Sequence, residues 1–308
     1  MSICIPLYNA EIYIADTIRK LQQQSYPNIE IVIVDDHSTD GSLAAAKAFE
    51  SESVRIYTNP KKGGNAARNY AFEMSRGEYV KFLDADDYCS DNLIKAQMER
   101  MLVDGGRDTL IFSPVRMLHP NDVMFDPPRS LDVDHRPGIE LVCSILEGKG
   151  WQCPHCHLMS RDLVVKSGGW DESVIKNQDG EFFARVAVSA DCALSVPGEY
   201  AIWRQTGIGV STKLSVEAHR SVLRTFEMIS TMLLEYRDDK RMRELCSARL
   251  GLYVYVNYPS CKAVMPEIYR QFDLLGESFK LPPRRVLSIL SAIFGWKIAL
   301  RIIRKFDL

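Results

Sequence analysis

Net charge is nearly absent from this chain: 38 Lys and Arg against 40 Asp and Glu leave a formal −2 over 308 residues. A balance of this kind carries no basic footprint for nucleic acid. Long apolar runs are missing as well. The longest candidate, Val286 to Trp296, is uncharged but only eleven residues long, too short to span a bilayer. Without spans, a processive synthase that secretes its own product is disfavoured. There is no internal repeat and no low-complexity tract. The first strand is entered by Ile3, which leaves no room for a signal peptide or N-terminal anchor, so a cytoplasmic protein is expected.

Paired metal-binding motifs are also lacking. Among eight cysteines, only Cys153-Pro154-His155-Cys156-His157 looks like a ligand cluster, formally matching a haem-attachment motif and half a zinc site. No second Cys or His pair stands at zinc-site spacing, and haem attachment requires export. Read as a strand before a helix at Asp162, the segment puts Cys153, His155 and His157 on one face and Cys156 on the other, so the group cannot chelate together. Structural thiols and imidazoles are expected, with His155 or His157 lining an acceptor site as the functional form of that reading.

The chain is rich in strands that end in polar loops. Val80-Lys81-Phe82-Leu83-Asp84-Ala85-Asp86-Asp87 is a strand-like run that stops in three carboxylates. Ligands of open α/β sheets bind beyond the carboxyl ends of the strands, and crowded acids there need a cation. Hard oxygen ligands with room for water favour Mg²⁺ or Mn²⁺ bridging substrate phosphates. An acidic loop capping a helix that starts near Asp91 is the bland alternative. Upstream, Glu30 to Val34 ends in Asp35-Asp36-His37-Ser38-Thr39-Asp40-Gly41 before a helix over 42–49, and Ile3-Cys4-Ile5 stops at Pro6-Leu7-Tyr8-Asn9 before an amphipathic run over 12–21. Val54 to Tyr57 reads as another strand, and Gly63-Gly64-Asn65-Ala66-Ala67-Arg68-Asn69 opens the next helix. These units describe a mostly parallel, Rossmann-like α/β sheet flanked by helices, with one functional rim. The glycines let backbone approach a ligand, and Arg68 suits a diphosphate.

Taken in order, Pro6, Tyr8 and Asn9, then Val34-Asp35-Asp36 with Ser38 and Asp40, then Gly64 with Ala67-Arg68-Asn69, then Gly77-Glu78-Tyr79 leading into Phe82 to Asp87, resemble the family 2 glycosyltransferases of GT-A fold. These blocks lie within the first 90 residues. A weaker likeness continues to about residue 212. Gly168-Gly169-Trp170-Asp171-Glu172 with Gln178-Asp179-Gly180-Glu181-Phe182 is similar to the segment that carries the acceptor-side base, and Trp203 to Ser211 resembles the mobile loop that closes over the donor.

The resemblance implies roles for particular residues. Asp86 would be the chief metal ligand, with Asp84 and Asp87 sharing ligation of Mg²⁺ or Mn²⁺ or holding the ribose. Pro6 and Tyr8 would line the base pocket, Asp36 would accept a hydrogen bond from the base, and Arg68 would reach base or phosphate. Ala85 and Arg204 complete the donor side. Asp179 would be the catalytic base, and His155, His157 and Trp170 would face the acceptor. Each has a structural alternative: Tyr8 a packed aromatic, Arg68 a surface arginine, Asp179 the N-cap of a helix over 181–188. Family membership implies inversion at the anomeric carbon.

A catalytic domain is expected over 1–214, with a nucleotide-binding half (1–105) and an acceptor half (106–214). A helical region follows over 215–308, with helices over 216–235, 242–256 and 265–274. Pro282-Pro283 breaks the chain. After Gly295, Lys297, Arg301, Arg304 and Lys305 form a basic stripe, while Ile298, Ile302 and Phe306 recur on another side. That pattern suits an interfacial helix on anionic lipid within 282–306 at the inner face of the plasma membrane, or an ordinary helix docked on the protein.

The function read from these features is metal-dependent transfer of a sugar from a nucleoside-diphosphate sugar, UDP favoured by family habit, to a glycan or lipid-linked acceptor in polysaccharide or lipopolysaccharide biosynthesis. One rival is a nucleotide-sugar-binding scaffold without turnover, opposed by the retained Asp86 and Asp179. The other is a sugar-phosphate nucleotidyltransferase, which should carry a Gly-rich loop with Thr-Arg after the first strand where this chain has Pro6-Leu7-Tyr8-Asn9.

Overall fold

The computed structural model of the chain describes residues 1–126, 131–207 and 214–306. Strands and helices alternate from the start. β1 (Ser2–Leu7) leads to α1 (Glu11–Gln22), β2 (Glu30–Asp35) to α2 (Ser42–Lys47), and β3 (Val54–Thr58) to α3 (Gly64–Met74), which returns the chain to β4 (Tyr79–Phe82). The middle of β1 and β2 is apolar on both faces because both are covered: Ile3, Cys4, Ile5, Val32, Ile33 and Val34 are wholly buried. α1 turns Ile14, Thr17, Ile18 and Leu21 inward, the stripe expected at helical spacing.

Next come β5 (Tyr88–Cys89), α4 (Leu93–Asp104), β6 (Thr109–Phe112), β7 (Val115–Leu118), β8 (Met124–Phe125), α5 (Ile139–Leu146), β9 (His157–Ser160), α6 (Arg161–Lys166), α7 (Gln178–Ser189), β10 (Cys192–Ser195) and β11 (Ala201–Arg204). Among the described residues, one sheet has the order β10-β6-β9-β4-β1-β2-β3 and a smaller one the order β5-β11-β7-β8. In the large sheet neighbours run parallel, except that β9 is antiparallel to both β4 and β6. The mostly parallel α/β sheet is therefore present. Strand order reverses at β1, which has β2 on one side and β4 on the other. Such a switch point opens a crevice beyond the strand ends.

One local expectation fails. Pro154 to Cys156 form a 3-10 turn, and only His157 begins a strand. The fixed φ of Pro154 suits the first position of a turn, and the Cys156 N–H closes it on the Cys153 carbonyl at 3.2 Å. Strand alternation is lost. Cys156 Sγ therefore lies 3.5 Å from His157 Nδ1 and donates to the Cys153 carbonyl at 3.0 Å. Even so, no group of three or more His, Cys, Asp or Glu side chains is placed to hold a metal ion among the described residues.

The chain forms two compact units, 1–174 with 178–209 and 175–177 with 210–308. The second contains α8 (Val216–Tyr236), α9 (Lys240–Asn257), α10 (Met265–Leu274), α11 (Arg285–Phe294) and α12 (Trp296–Phe306). Ser215 Oγ caps α8 by accepting the Ala218 N–H at 3.1 Å, and Asp239 Oδ1 caps α9 by accepting the Met242 N–H at 2.9 Å. Residues 175–177 are held in this unit by Ser221 Oγ, which accepts the Ile175 and Lys176 N–H groups at 3.1 and 3.0 Å. α9 passes close to the segment before Pro282. A Cβ added at Gly251 would stand 2.1 Å from the Lys280 carbonyl oxygen. Gly251→Ala is expected to lower the denaturation midpoint, because overpacking against backbone costs about 1–3 kcal/mol and helix propensity returns at most ~1 kcal/mol. A midpoint at or above wild type would mean that the 280 segment yields freely.

Candidate active site

β4 delivers Leu83 to Asp87 to the switch-point rim, where Thr17 fixes them. Its Oγ1 donates to the carbonyls of Ala85 at 3.0 Å and Asp87 at 3.1 Å. Ala85 is buried by this clamp. The three carboxylates then part company. Asp84 Oδ1 accepts from Arg68 Nη2 at 2.7 Å. Arg68, only 6% exposed, also donates to Asn65 Oδ1 at 3.2 Å and lies over the Trp170 ring at 4.7 Å. Burial opposes its charge, but Asp84, Asp179 and Asp86 outweigh this and hold its pKa above the ordinary range. Burial, and then the charge of Asp84, pushes Asp86 up to about 6.

Asp87 takes a different part from the one expected. Its Oδ1 accepts the Arg204 N–H at 2.7 Å, its Oδ2 lies 3.4 Å from His155 Nδ1, and it is almost wholly buried. Burial, then Asp86 and Asp84, raises its pKa well above the usual carboxylate range. It braces the loop from behind rather than offering a third ligand at the rim. Arg204 is likewise engaged within the protein, with Nη2 donating to Asp16 Oδ2 at 2.9 Å and its guanidinium over Tyr88 at 4.9 Å. Of the loop read from Trp203 to Ser211, Ile208 to Ser211 lie outside the described residues.

The residues expected to face the acceptor are buried instead. His155 is closed off completely. Its Nε2 lies 3.1 Å from the Ile202 carbonyl, and burial, then Lys81, lowers its pKa to about 3, so the imidazole is neutral. His157 Nε2 pairs with Gln152 Oε1 at 2.7 Å, and the ring stacks on Phe183 with centroids 3.8 Å apart. Trp170 stacks on Phe182 at 4.2 Å and meets Phe82 edge-on at 5.2 Å. It is the floor beneath Arg68, not an open platform. Lys81 ties the His155–His157 turn inward. Its wholly buried ammonium donates to the carbonyls of His155 at 2.6 Å and His157 at 3.0 Å, drawing that turn against β4. Burial lowers its pKa.

The donor-side residues stand at the ends of β1 and β2. Tyr8 is 54% exposed, so it is not a packed aromatic, and Pro6 is half-buried beneath it in the chain. Asp36 is buried and already employed: Oδ1 accepts the Gly63 N–H at 2.8 Å and Asn59 Nδ2 at 2.7 Å. It holds the turn that opens α3. Gly63 sits there at φ +133, a conformation that side chains rarely adopt.

Asp179 lies in the first turn of α7 rather than at its cap. Its Oδ1 is buried with no hydrogen-bond partner. Burial raises its pKa to about 6, with Arg68 pulling the other way. Arg68 is thus flanked by Asp84, Asp179 and Asp86. The approach to α7 depends on Asn65 and Asn69, which stand in the block that opens α3 but were assigned no role there. Asn65 Nδ2 donates to the Asp171 and Val174 carbonyls at 2.7 and 3.0 Å, while Asn69 both donates to the Trp170 carbonyl and accepts its N–H at 2.9 Å.

The described residues offer a metal only a two-carboxylate face. Asp86 and Asp84 are hard oxygen donors, and burial and the charge of Asp84 disfavour ionised Asp86. This fits a divalent ion that keeps waters and completes its shell with substrate phosphates.

The sequence model described as Glycosyl transferase family 2 matches residues 2–168. An uncharacterised glycosyltransferase of Haemophilus influenzae is 37% identical over 105 residues, 33% of this chain and 42% of that protein. The Escherichia coli protein WfaP, a UDP-Glc:alpha-D-GlcNAc-diphosphoundecaprenol beta-1,3-glucosyltransferase, is 39% identical over 102 residues, 33% of this chain and 41% of that protein. The chain thus spans about two fifths of the length of these curated relatives. The crystal structure of residues 1–349 of Staphylococcus aureus TarS in complex with UDP-GlcNAc superposes with a TM-score of 0.72, at 17% identity, over 99% of this chain and 91% of that one. That likeness establishes the GT-A fold.

Proposed function

Since this chain belongs to glycosyl transferase family 2, we propose that it moves a sugar from a nucleoside-diphosphate sugar, with UDP as the favoured nucleotide, to a hydroxyl of a glycan or lipid-linked acceptor in polysaccharide or lipopolysaccharide biosynthesis. The observation that carries this reading is the grouping of Arg68, Asp84, Asp86 and Asp179 at the strand switch point, one buried cation among three carboxylates. The activity named for WfaP, with a UDP-sugar donor and a lipid-diphosphate acceptor, supports the substrate classes. The UDP-GlcNAc held by TarS supports the nucleotide. A lipid-linked acceptor would put the reaction at the cytoplasmic face of the membrane.

Each residue has a task in such a reaction. Tyr8 and Pro6 flank the base, and the exposed Tyr8 ring offers it a stacking face. Asp36 sets the Gly63 turn, so its contribution to nucleotide binding acts through backbone as well as through its own oxygens. Arg68 neutralises the diphosphate side, and Asp179 accepts the proton of the attacking hydroxyl. Mg²⁺ or Mn²⁺, when bound by Asp86 and Asp84, supplies several kcal/mol of charge stabilisation to the leaving diphosphate. Attack from the face opposite the leaving group inverts the anomeric carbon.

A thermal-unfolding screen of UDP-, GDP- and dTDP-sugars, with and without Mn²⁺ or Mg²⁺, tests the reading. The right donor at 100 times its dissociation constant stabilises the chain by about 2.7 kcal/mol, and the effect should grow with metal. A flat response to every donor would count against an enzyme of this class. Stabilisation without any donor hydrolysis or transfer would point to a binding scaffold.

A further inference from the structure

α11 and α12 each dock on their own unit by one narrow face. Leu287 in α11 and Ala299, Leu300 and Ile303 in α12 are buried in a core shared with Tyr258 and Phe272. The outward surface divides into two kinds of row. Val286, Ile289 and Ile293 are 43, 53 and 65% exposed along α11, and Ile298 and Phe306 are 50 and 62% exposed along α12. Five exposed apolar side chains on two helices that touch suit an interaction site. Beside it, Lys297, Arg301 and Lys305 recur every four residues, all exposed. Arg304 does not belong to that row, because its Nη2 donates to the carbonyls of Tyr255 at 2.8 Å and Val256 at 2.6 Å in the last turn of α9.

From Arg284 to Phe306 there are six basic residues and no acidic one, in a chain whose formal charge is −2. We propose that this face of α11 and α12 lies on an anionic bilayer surface. The basic row would meet lipid phosphates, and Ile289, Ile293 and Ile298 would enter the headgroup region. Two helices of ten and eleven residues are too short to span, but an apolar row beside a basic row is the pattern of a helix in the interfacial plane. A second copy of the chain is the poorer occupant. An isologous contact would set one basic row against another with no acidic residue in the segment to offset them. The proposal stands apart from the transfer chemistry, since it uses none of the residues at the strand switch point.

Sedimentation of the full chain with phosphatidylcholine vesicles, with and without phosphatidylglycerol, tests it. Binding is expected only with phosphatidylglycerol and should weaken as salt rises. Each exposed Lys or Arg near such a surface is worth about a fivefold gain in partition, so Lys297→Gln/Arg301→Gln/Lys305→Gln should bind roughly 100-fold more weakly. Ile289→Ser/Ile293→Ser should also bind less tightly while unfolding at the wild-type temperature. This second variant decides the matter if the first fails to fold. No binding to anionic vesicles at low salt would overturn the proposal. So would equal binding to neutral vesicles, undiminished binding by a folded charge variant, or self-association in vesicle-free solution that Ile289→Ser/Ile293→Ser abolishes.

Discussion

Asp179→Asn is expected to slow single-turnover sugar transfer by roughly 10²- to 10⁴-fold, the usual worth of a placed base, with donor affinity nearly intact. The substitution keeps size and shape and removes only the charge and basicity. Asp179 suits the role because its Oδ1 is buried without a partner, and burial raises its pKa to about 6. The transfer rate should therefore fall as pH drops through about 6, and the variant should lose that limb of the profile. Stability gives a second readout. A carboxylate whose folded pKa is raised penalises folding when ionised, so the penalty is complete above about 6 and is relieved as pH falls toward the ordinary aspartate value of 3.8. The difference in stability between wild type and Asp179→Asn should shrink over that window. If the variant binds donor poorly but transfers normally at saturation, Asp179 is a donor contact and the base lies elsewhere.

Local pattern carried most of the fold. β1, β2 and β4 are rich in Ile, Val and Phe and reach the rim at Tyr8, Asp36 and Asp84, because a strand buried on both faces is mostly apolar until it reaches the rim. α10 spans Met265–Leu274, the bounds that its apolar spacing predicts. The rim was legible for the same reason: polar residues following a buried strand have only the strand end on which to stand.

What escaped the sequence is set by contacts between distant residues. Which of two adjacent acids faces outward is decided by partners far along the chain: the Arg204 N–H, 117 residues away, claims Asp87. Lys81 looks like an intruder in an apolar strand, yet it is satisfied by carbonyls 74 and 76 residues later, and this drawing-in buries His155 and His157. Trp170 is committed by Phe82, Phe182 and Arg68. In α12 the periodicity revealed a basic row and an apolar row, but not that a third face, Ala299, Leu300 and Ile303, is the one that docks.

Asp86→Asn is expected to remove metal-dependent turnover by about 10²- to 10³-fold, since the ion supplies several kcal/mol of stabilisation and each ~1.4 kcal/mol is a factor of ten. Of the three neighbouring acids, Asp84 is paired with Arg68 and Asp87 with the Arg204 N–H. Asp86 is left at the rim, where burial and Asp84 disfavour its charge, so it gains from a cation. Its pKa of about 6 means that metal activation should fade as pH drops below that value, because a proton then competes for the carboxylate. Without metal the sign reverses. Ionised Asp86 destabilises the fold at neutral pH, and the neutral, nearly isosteric Asn should unfold at a higher temperature than wild type. Mn²⁺ should then raise the unfolding temperature of wild type and leave the variant unmoved. Wild-type turnover that survives thorough chelation would refute the metal's part in the reaction. A variant with undiminished metal-dependent rate would move the ligand role from Asp86 to Asp84.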